Sequence, residues 1–452
     1  MRDVTIVGGS LAGLVTARRL QQHGLRPLVL EKSDTEGGLG NARISGGLIH
    51  LAWEPLDADP TTLERRLLEE TDGEIAPDIA AALANMAREA IDWLGQEGVE
   101  MRPKSQVPYQ KFALYPPRAG TARQIEPDSG PDRMVMTLYN GFSGAGGDVW
   151  LGCTAEDLRP GEAEGTWSVG FRRGSVAHRE DSHAVVIADG GFQANQEMLT
   201  RYVGPNAGLS ALRAMTTATG DGLRMLLANG ASATGLGRVY GHMVSYSALV
   251  NEKLWPYPAV DKLCLTGALV NRVGDLINHR ATTGVELVTL LARSEDPRGI
   301  SVIFDDSVWN TAGKDNPYNS PVPNPDLVDR GGHHVTADSI DALERALGVK
   351  PGRLGAALEA HEASGGVVMN VPPFHAARVV PGITFTEGGA QIDATGAVID
   401  RTGAPIPGMY AAGSAAGGIH GGPRGGYVGG LAVALEMGLI VADAIAAGND
   451  AA

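Results

Sequence analysis

Glu31 follows Gly8 by 23 positions, and the turn Gly8-Gly9-Ser10-Leu11-Ala12-Gly13 opens the interval between them. A carboxylate at that distance can take the hydroxyl pair of a ribose, while the turn receives a pyrophosphate. The glycines divide the work: Gly8 permits the tight turn, and Gly13 lets a helix pack closely on a strand. The helix N-terminus between them offers unpaired N–H groups and a positive dipole end. Ser10 stands where the full pattern has its middle glycine; a serine is small enough for backbone approach, and its hydroxyl can bond a phosphate.

The elements that must hold these residues surround them. Val4-Thr5-Ile6-Val7 is an apolar, β-branched run suited to a buried parallel strand. An Ala/Leu/Arg-rich pattern to Gln22 predicts a helix closed by His23-Gly24, and Arg26 to Leu30 predicts a second strand. Together they form a βαβ unit, which predicts a bound dinucleotide. Glu36-Gly37-Gly38-Leu39-Gly40-Asn41 and Ser45-Gly46-Gly47 follow, as suits a cofactor whose bulky ring system passes close to backbone.

Composition narrows the class. With 452 residues, 43% of them hydrophobic, the chain has material for a sizeable core and predicts two domains. A net charge of −15 argues against nucleic acid or an anionic membrane surface as partner. Cys153 and Cys264 form no Cys-x-x-Cys, which excludes the usual zinc, iron–sulfur and c-type haem signatures, predicts no metal, and suits a reducing cytoplasm. The first residues run straight into a strand, so no signal peptide is expected. The apolar stretch Val428–Ala447 approaches the length of a membrane span, but Glu436 and Asp443 interrupt it, and a buried helix of the same domain is expected instead.

The glycine-rich segments after Glu31 resemble the flavoprotein family of fumarate reductases, succinate dehydrogenases and 3-ketosteroid dehydrogenases. Further matching motifs are Ala188-Asp189-Gly190-Gly191, Thr219-Gly220-Asp221-Gly222, Thr386-Glu387-Gly388-Gly389, Met409-Tyr410-Ala411-Ala412-Gly413 and His420-Gly421-Gly422-Pro423-Arg424-Gly425-Gly426. The resemblance covers both ends and the middle, leaving mainly 55–140 and 235–355 to vary. It implies an α/β fold, a Rossmann-like FAD-binding domain with an inserted α+β capping domain. The expected bounds are 1–234 for the first part of the FAD domain, with a helical insertion at about 55–130, then 235–355 for the cap and 356–452 for the second part. The implied cofactor is FAD, held by Gly8, Ser10, Leu11, Ala12, Gly13, Glu31, Lys32, Gly38, Asn41, Ser45, Gly46, Gly47, Ala188, Gly190, Gly220, Asp221, Gly413, Ser414 and Gly429. The succinate dehydrogenase branch binds FAD covalently through a histidine just before the Gly-Gly; no histidine lies between Glu31 and Gly46, so non-covalent FAD is expected.

Other segments supply candidates for the chemistry. Leu63, Leu67, Leu68, Ile79, Leu83, Met86 and Trp93 recur at helical spacing and predict helices between about Thr61 and Gly98. Val107 to Arg118 carries too many prolines and aromatics for a regular element and reads as a loop over a site, with Tyr109, Tyr115 and Arg118 as candidate substrate contacts. His50 could touch flavin or substrate, or be structural. The region from about Thr234 to Pro351, with Tyr240, Tyr246, Trp255, Tyr257 and Pro258, reads as the cap, and Asn316–Asp326 as a surface loop without chemistry.

Fumarate reductases use a cap arginine as proton donor after Gly-x-Arg-Phe-x-x-Glu. The comparable stretch, Val270 to Thr283, lacks that motif, and the donor position falls near Thr283 or Gly284, with Arg280 in place only after a backbone shift. A family histidine is Phe385 here, and Asp189 stands where threonine is usual. Arg424 matches the arginine that clamps a substrate carboxylate, for which a guanidinium fork is suited. The expectation is therefore an FAD-dependent desaturase of a small, cyclic oxo carboxylic acid such as an oxocyclohexanecarboxylate. A tyrosine, Tyr246 or Tyr115 from a pool with Tyr109, Tyr240 and Tyr427, would remove the α proton. Phe385, Tyr109 and His420 join Arg424 around the substrate, and His242 and His279 are alternative acid–base groups. The electron acceptor stays open, O2 being compatible. The alternatives are a reductase of an α,β-unsaturated carboxylate, with Arg280 or His279 as donor, and a flavin electron-transfer subunit.

Overall fold

The computed structural model describes residues 1–119, 124–251, 260–312 and 332–450. Trp255, Tyr257, Pro258 and the 316–326 stretch lie outside the described residues.

The opening βαβ unit forms as its residues dictate. Arg2–Val7 and Pro27–Leu30 pair in parallel, with Val4 opposite Pro27 and Val7 opposite Leu30. Leu11–Gln22 is the helix between them, buried along Leu11, Leu14, Val15 and Leu20. Both strands are completely or almost completely buried along their apolar runs, as parallel strands covered on both faces must be. The main sheet runs Ala397–Ile399, Pro405–Ala411, Val176–Ile187, Arg2–Val7, Pro27–Leu30, Asp148–Trp150. All neighbours in that order are parallel except the first pair. The strand directly beside Arg2–Val7 thus comes from mid-chain, and the next one out from residues 405–411, so this sheet closes only when distant segments join.

The last helix, Gly430–Asp450, is long and apolar enough to cross a membrane by length and composition. It packs on Leu11–Gln22 and on Pro77–Gln96, with 67% of its apolar window buried in the protein. Arg19 anchors it from the first helix, its Nε 2.7 Å from an oxygen of Asp443.

A second sheet forms the cap. Its long strand Phe374–Thr386 pairs with Val239–Ser245, Ile300–Asp305 and His334–Ala337, all antiparallel, and with Ala211–Leu212 in parallel. The sheet thus reaches past the expected 235–355 on both sides. Helices Pro60–Glu70 and Pro77–Gln96, buried through Leu63, Leu67, Ile79 and Leu83, lie in the first part of the 55–130 region, and the short strands Met101–Arg102 and Phe112–Leu114 follow them.

Candidate active site

A cavity of about 880 Å³ lies between the main sheet and the cap. That is within the range of small-molecule and cofactor sites. Its floor is the dinucleotide turn, and Gly8, Ser10, Leu11, Ala12, Glu31, Lys32, Asn41, Ser45, Gly46, Gly47, Ala188, Gly190, Asp221, Gly413 and Ser414 all line it. The other expected cofactor residues serve from behind. A Cβ on Gly13 would strike the Gly8 carbonyl, and one on Gly38 would lie 3.0 Å from the Glu31 carboxyl carbon. Gly220 precedes the helix Asp221–Ala228 with a φ of 75°, and Gly429 lies under the His50 carbonyl.

The cradle fits FAD. Glu31 is buried, with Gly9 N–H donating to Oε2 at 2.7 Å and Ser33 N–H donating to Oε1 at 2.9 Å. Both oxygens are fixed in place, and each keeps a lone pair for a ribose hydroxyl. The Ser10 hydroxyl fills the space that a Cβ on Gly40 would take, which is how the serine is accommodated in a glycine turn. Lys32 Nζ donates to Thr219 Oγ1 at 2.7 Å and to Asp221 Oδ2 at 2.8 Å, tying the Glu31 strand end to the Thr219-Gly220-Asp221 turn. Burial would raise the Asp221 carboxyl, but Lys32 and Thr219 hold it below its ordinary range. Burial pushes neighbouring Asp189 up to about 7, against the opposing hydrogen bond from Gly222 N–H.

A bulge joins cap to cradle. Tyr240 faces Phe385, but Gly241 faces Ile383, so Thr384 is left out of the ladder. Its freed carbonyl accepts from Asn41 Nδ2 at 2.8 Å, and its hydroxyl accepts from Arg213 at 2.6 Å. Asn41 Oδ1 in turn accepts from Met215 N–H at 2.9 Å.

The reactive groups of the cap converge on the same cavity. Tyr240, His242 and Asp261 all line it. His242 Nδ1 lies 2.5 Å from Asp261 Oδ2, and Tyr240 Oη lies 3.3 Å from His242 Nε2. With Nδ1–H donated to the carboxylate, Nε2 accepts the tyrosine proton. Tyr427 stacks on Tyr240 at 4.2 Å, and its hydroxyl accepts from Gly430 N–H at 3.0 Å, at the start of the last helix. Phe385 also stacks on Tyr240, at 5.0 Å, and lies 6.2 Å from Tyr427.

The remaining candidates fall elsewhere. Tyr115 lies under Arg102, 3.6 Å from its guanidinium carbon, and Tyr246 lies under Arg378 at 3.7 Å; neither lines the cavity. Those rings are engaged by cations on their faces. Arg424 also does not line it: its guanidinium grips Asp72, with Nη2 to Oδ1 at 2.5 Å, and the side chain is 58% exposed. Tyr109 and His420 stand behind the wall. Tyr109 meets His50 and Trp53 edge-on, and buried His420 accepts from Val428 N–H at 3.3 Å and stacks on Tyr427. Burial lowers both His50 and His420 to about 4, so each is neutral near pH 7. Thr283 and Gly284 line the cavity, whereas Arg280 and His279 do not.

Asp261, Trp53 and Arg213 were not singled out by sequence for any role, yet all line the cavity. For Tyr240 and His242 the available signal was their i, i+2 spacing in an alternating strand. Arg118, a loop candidate for substrate contact, lines the cavity, joined by Lys104 and Lys262.

The FAD binding domain family matches residues 3–429. NADH:fumarate oxidoreductase of Klebsiella pneumoniae (strain 342) is 26% identical over 437 residues, 91% of this chain and 44% of that protein. Fumarate reductase (cytochrome) of Shewanella frigidimarina is 24% identical over 440 residues, 91% of this chain and 71% of that protein. The chain thus spans less than half the length of the first relative and about seven-tenths of the second. Among solved structures, 3-ketosteroid Δ1-dehydrogenase from Sterolibacterium denitrificans superposes with a TM-score of 0.73 at 19% identity, covering 99% of both chains.

Proposed function

The chain belongs to the FAD binding domain family, and from that premise we propose that it reduces the C=C bond of a small α,β-unsaturated carboxylate. The protein is an FAD-dependent oxidoreductase, and its curated relatives named for fumarate support this direction over the desaturation that the sequence favoured. The observation that carries the reading is the hydrogen-bonded line Tyr240–His242–Asp261 opening on the cofactor cavity.

When bound, FAD exchanges a hydride with the β carbon of such a substrate. The chain's own residues handle the proton and the charge. Tyr240 delivers its hydroxyl proton to the α carbon, and the phenolate left behind is reprotonated from solvent by way of His242 Nε2, which takes up a proton and passes it on. Asp261, fixed by Met243 N–H at 2.7 Å, orients the ring through Nδ1. This replaces the donors Arg280 and His279, which stand off the cavity. Arg118, whose Nη1 reaches the Ile44 carbonyl beside Ser45, is the guanidinium for the substrate carboxylate. Tyr427 and the helix N-terminus behind it donate toward developing negative charge on the same group.

One observation keeps the reverse reaction on a keto acid as a second reading. The paired phenols Tyr240 and Tyr427 would also suit a ketone, one removing a proton and the other polarising the carbonyl. The test is anaerobic flavin absorbance. Reoxidation of dithionite-reduced protein by acrylate, fumarate or cinnamate supports reduction. Bleaching of the oxidised protein by 4-oxocyclohexanecarboxylate, with no enoate reoxidising the reduced form, would reverse the direction.

A further inference from the structure

Leu51 and Glu54 exchange backbone hydrogen bonds, Leu51 N–H to Glu54 O at 3.0 Å and Glu54 N–H to Leu51 O at 2.9 Å. The two residues between them, Ala52 and Trp53, have φ of 47° and 65°. This is a two-residue turn of the kind that ordinarily takes Asn-Gly, because both central positions are left-handed. A tryptophan there is held against its own backbone preference, a form of strain that clusters at ligand clamps. Ala52 N–H donates to Val428 O at 2.8 Å, so the turn is pinned beside Tyr427. The indole stacks on His50 at 4.7 Å and 17°, and meets Tyr427 at 5.9 Å and 63°. The Trp53 side chain also donates to Glu70, which fixes the ring's rotation.

Trp53, Tyr427, Tyr240 and Phe385 all line the cavity and form a connected aromatic wall. We propose that this wall is the substrate box, that the site takes a flat, ring-bearing unsaturated monocarboxylate, and that Trp53 selects it. The inference rests on the reduction reading above and names its substrate class. A ring against these faces removes apolar surface from water and gains stacking contacts. A dicarboxylate has no apolar face to offer, and its second charge would lose water beside aromatic carbon without return.

The test titrates the oxidised, FAD-loaded protein with trans-cinnamate, 1-cyclohexenecarboxylate, acrylate and fumarate, reading flavin difference spectra. Oxidised flavin does not reduce an enoate, so binding is read without turnover. The ring acids should bind at least about tenfold more tightly than acrylate or fumarate, the gain expected from burying a ring face. Trp53→Gly, which accepts the left-handed backbone but gives up the indole's contacts, should stay folded with FAD bound while that ratio collapses. Trp53→Phe should keep most of it. Fumarate binding as tightly as the ring acids, or a ratio unchanged in both Trp53→Gly and Trp53→Ala, would overturn the proposal. If the ring acids bind selectively but no enoate reoxidises the reduced protein, the reduction reading fails while the box stands. Faster reoxidation by fumarate than by cinnamate would sink the box alone.

Discussion

His242 Nδ1 lies 2.5 Å from Asp261 Oδ2, across a gap of 19 residues in the chain. The pair presents His242 Nε2 to Tyr240 and gives the phenol a relay partner inside the cavity. Tyr240→Phe should slow single-turnover reoxidation of reduced protein by about 10²–10⁴-fold, the usual worth of a positioned acid. Asp261→Asn should slow it less, because the imidazole remains. FAD content should be unchanged in both; equal rates in the wild type and Tyr240→Phe would remove the phenol from the mechanism.

Glu31 holds two buried N–H groups and lines the cavity. Glu31→Ala leaves Gly9 and Ser33 N–H without their acceptor, at a cost of about 1–3 kcal/mol each. The variant should therefore purify with little FAD and melt lower even as apoprotein. Glu31→Gln keeps the acceptor for one N–H and should fall between. An Ala variant with full FAD content would show that the turn binds without the acid.

Arg424 and Arg118 divide in a testable way. Arg424 is exposed and paired with Asp72, whereas Arg118 lines the cavity. Arg118→Met should weaken carboxylate binding about ten- to a hundredfold, as for a lost charge-assisted hydrogen bond. Arg424→Met should leave it unchanged, measured by the same flavin difference titration. The opposite ranking would mean that Arg424 abandons Asp72 when substrate arrives.

Glu387 predicts a pH dependence of folding stability. Burial pushes its carboxyl from 4.5 up to about 8, with Arg238 opposing and Glu74 reinforcing the shift. A raised acid binds more protons folded than unfolded, so the penalty is absent below pH 4.5, grows up to about pH 8 and is constant above. Glu387→Gln removes the titration and should raise melting temperature at pH 8 more than at pH 5. A constant difference across that window would assign Glu387 no role in it.

The cradle was readable because its chemistry is local. A glycine turn, a helix start and an acid at fixed spacing sit within one βαβ unit, and Gly8 to Glu31 landed on one cavity wall. The cap resisted, since its geometry is set by strand pairing across the chain. Tyr240 reaches the site through its register with Phe385, and Asp261 through the fold of the next helix, neither of which local spacing encodes. Tyr115 and Tyr246 had the right side chain for the chemistry, but an arginine lies over each ring. Trp53 was invisible for a different reason: Ala-Trp carries none of the usual signals of a tight turn.

Thr384, left out of its ladder, has a consequence for how the protein is made. The Asn41 side chain is held at one end by Thr384 and at the other by Met215, and the strand nearest the middle of the main sheet on one side is flanked by residues 405–411. A ribosome extends the chain from its N-terminus, so the dinucleotide turn emerges early but lacks one or more of these partners until residues 405–411 have been made. Flavin loading should therefore wait until residues 405–411 have left the ribosome, and a nascent chain stalled before Gly413 should capture none.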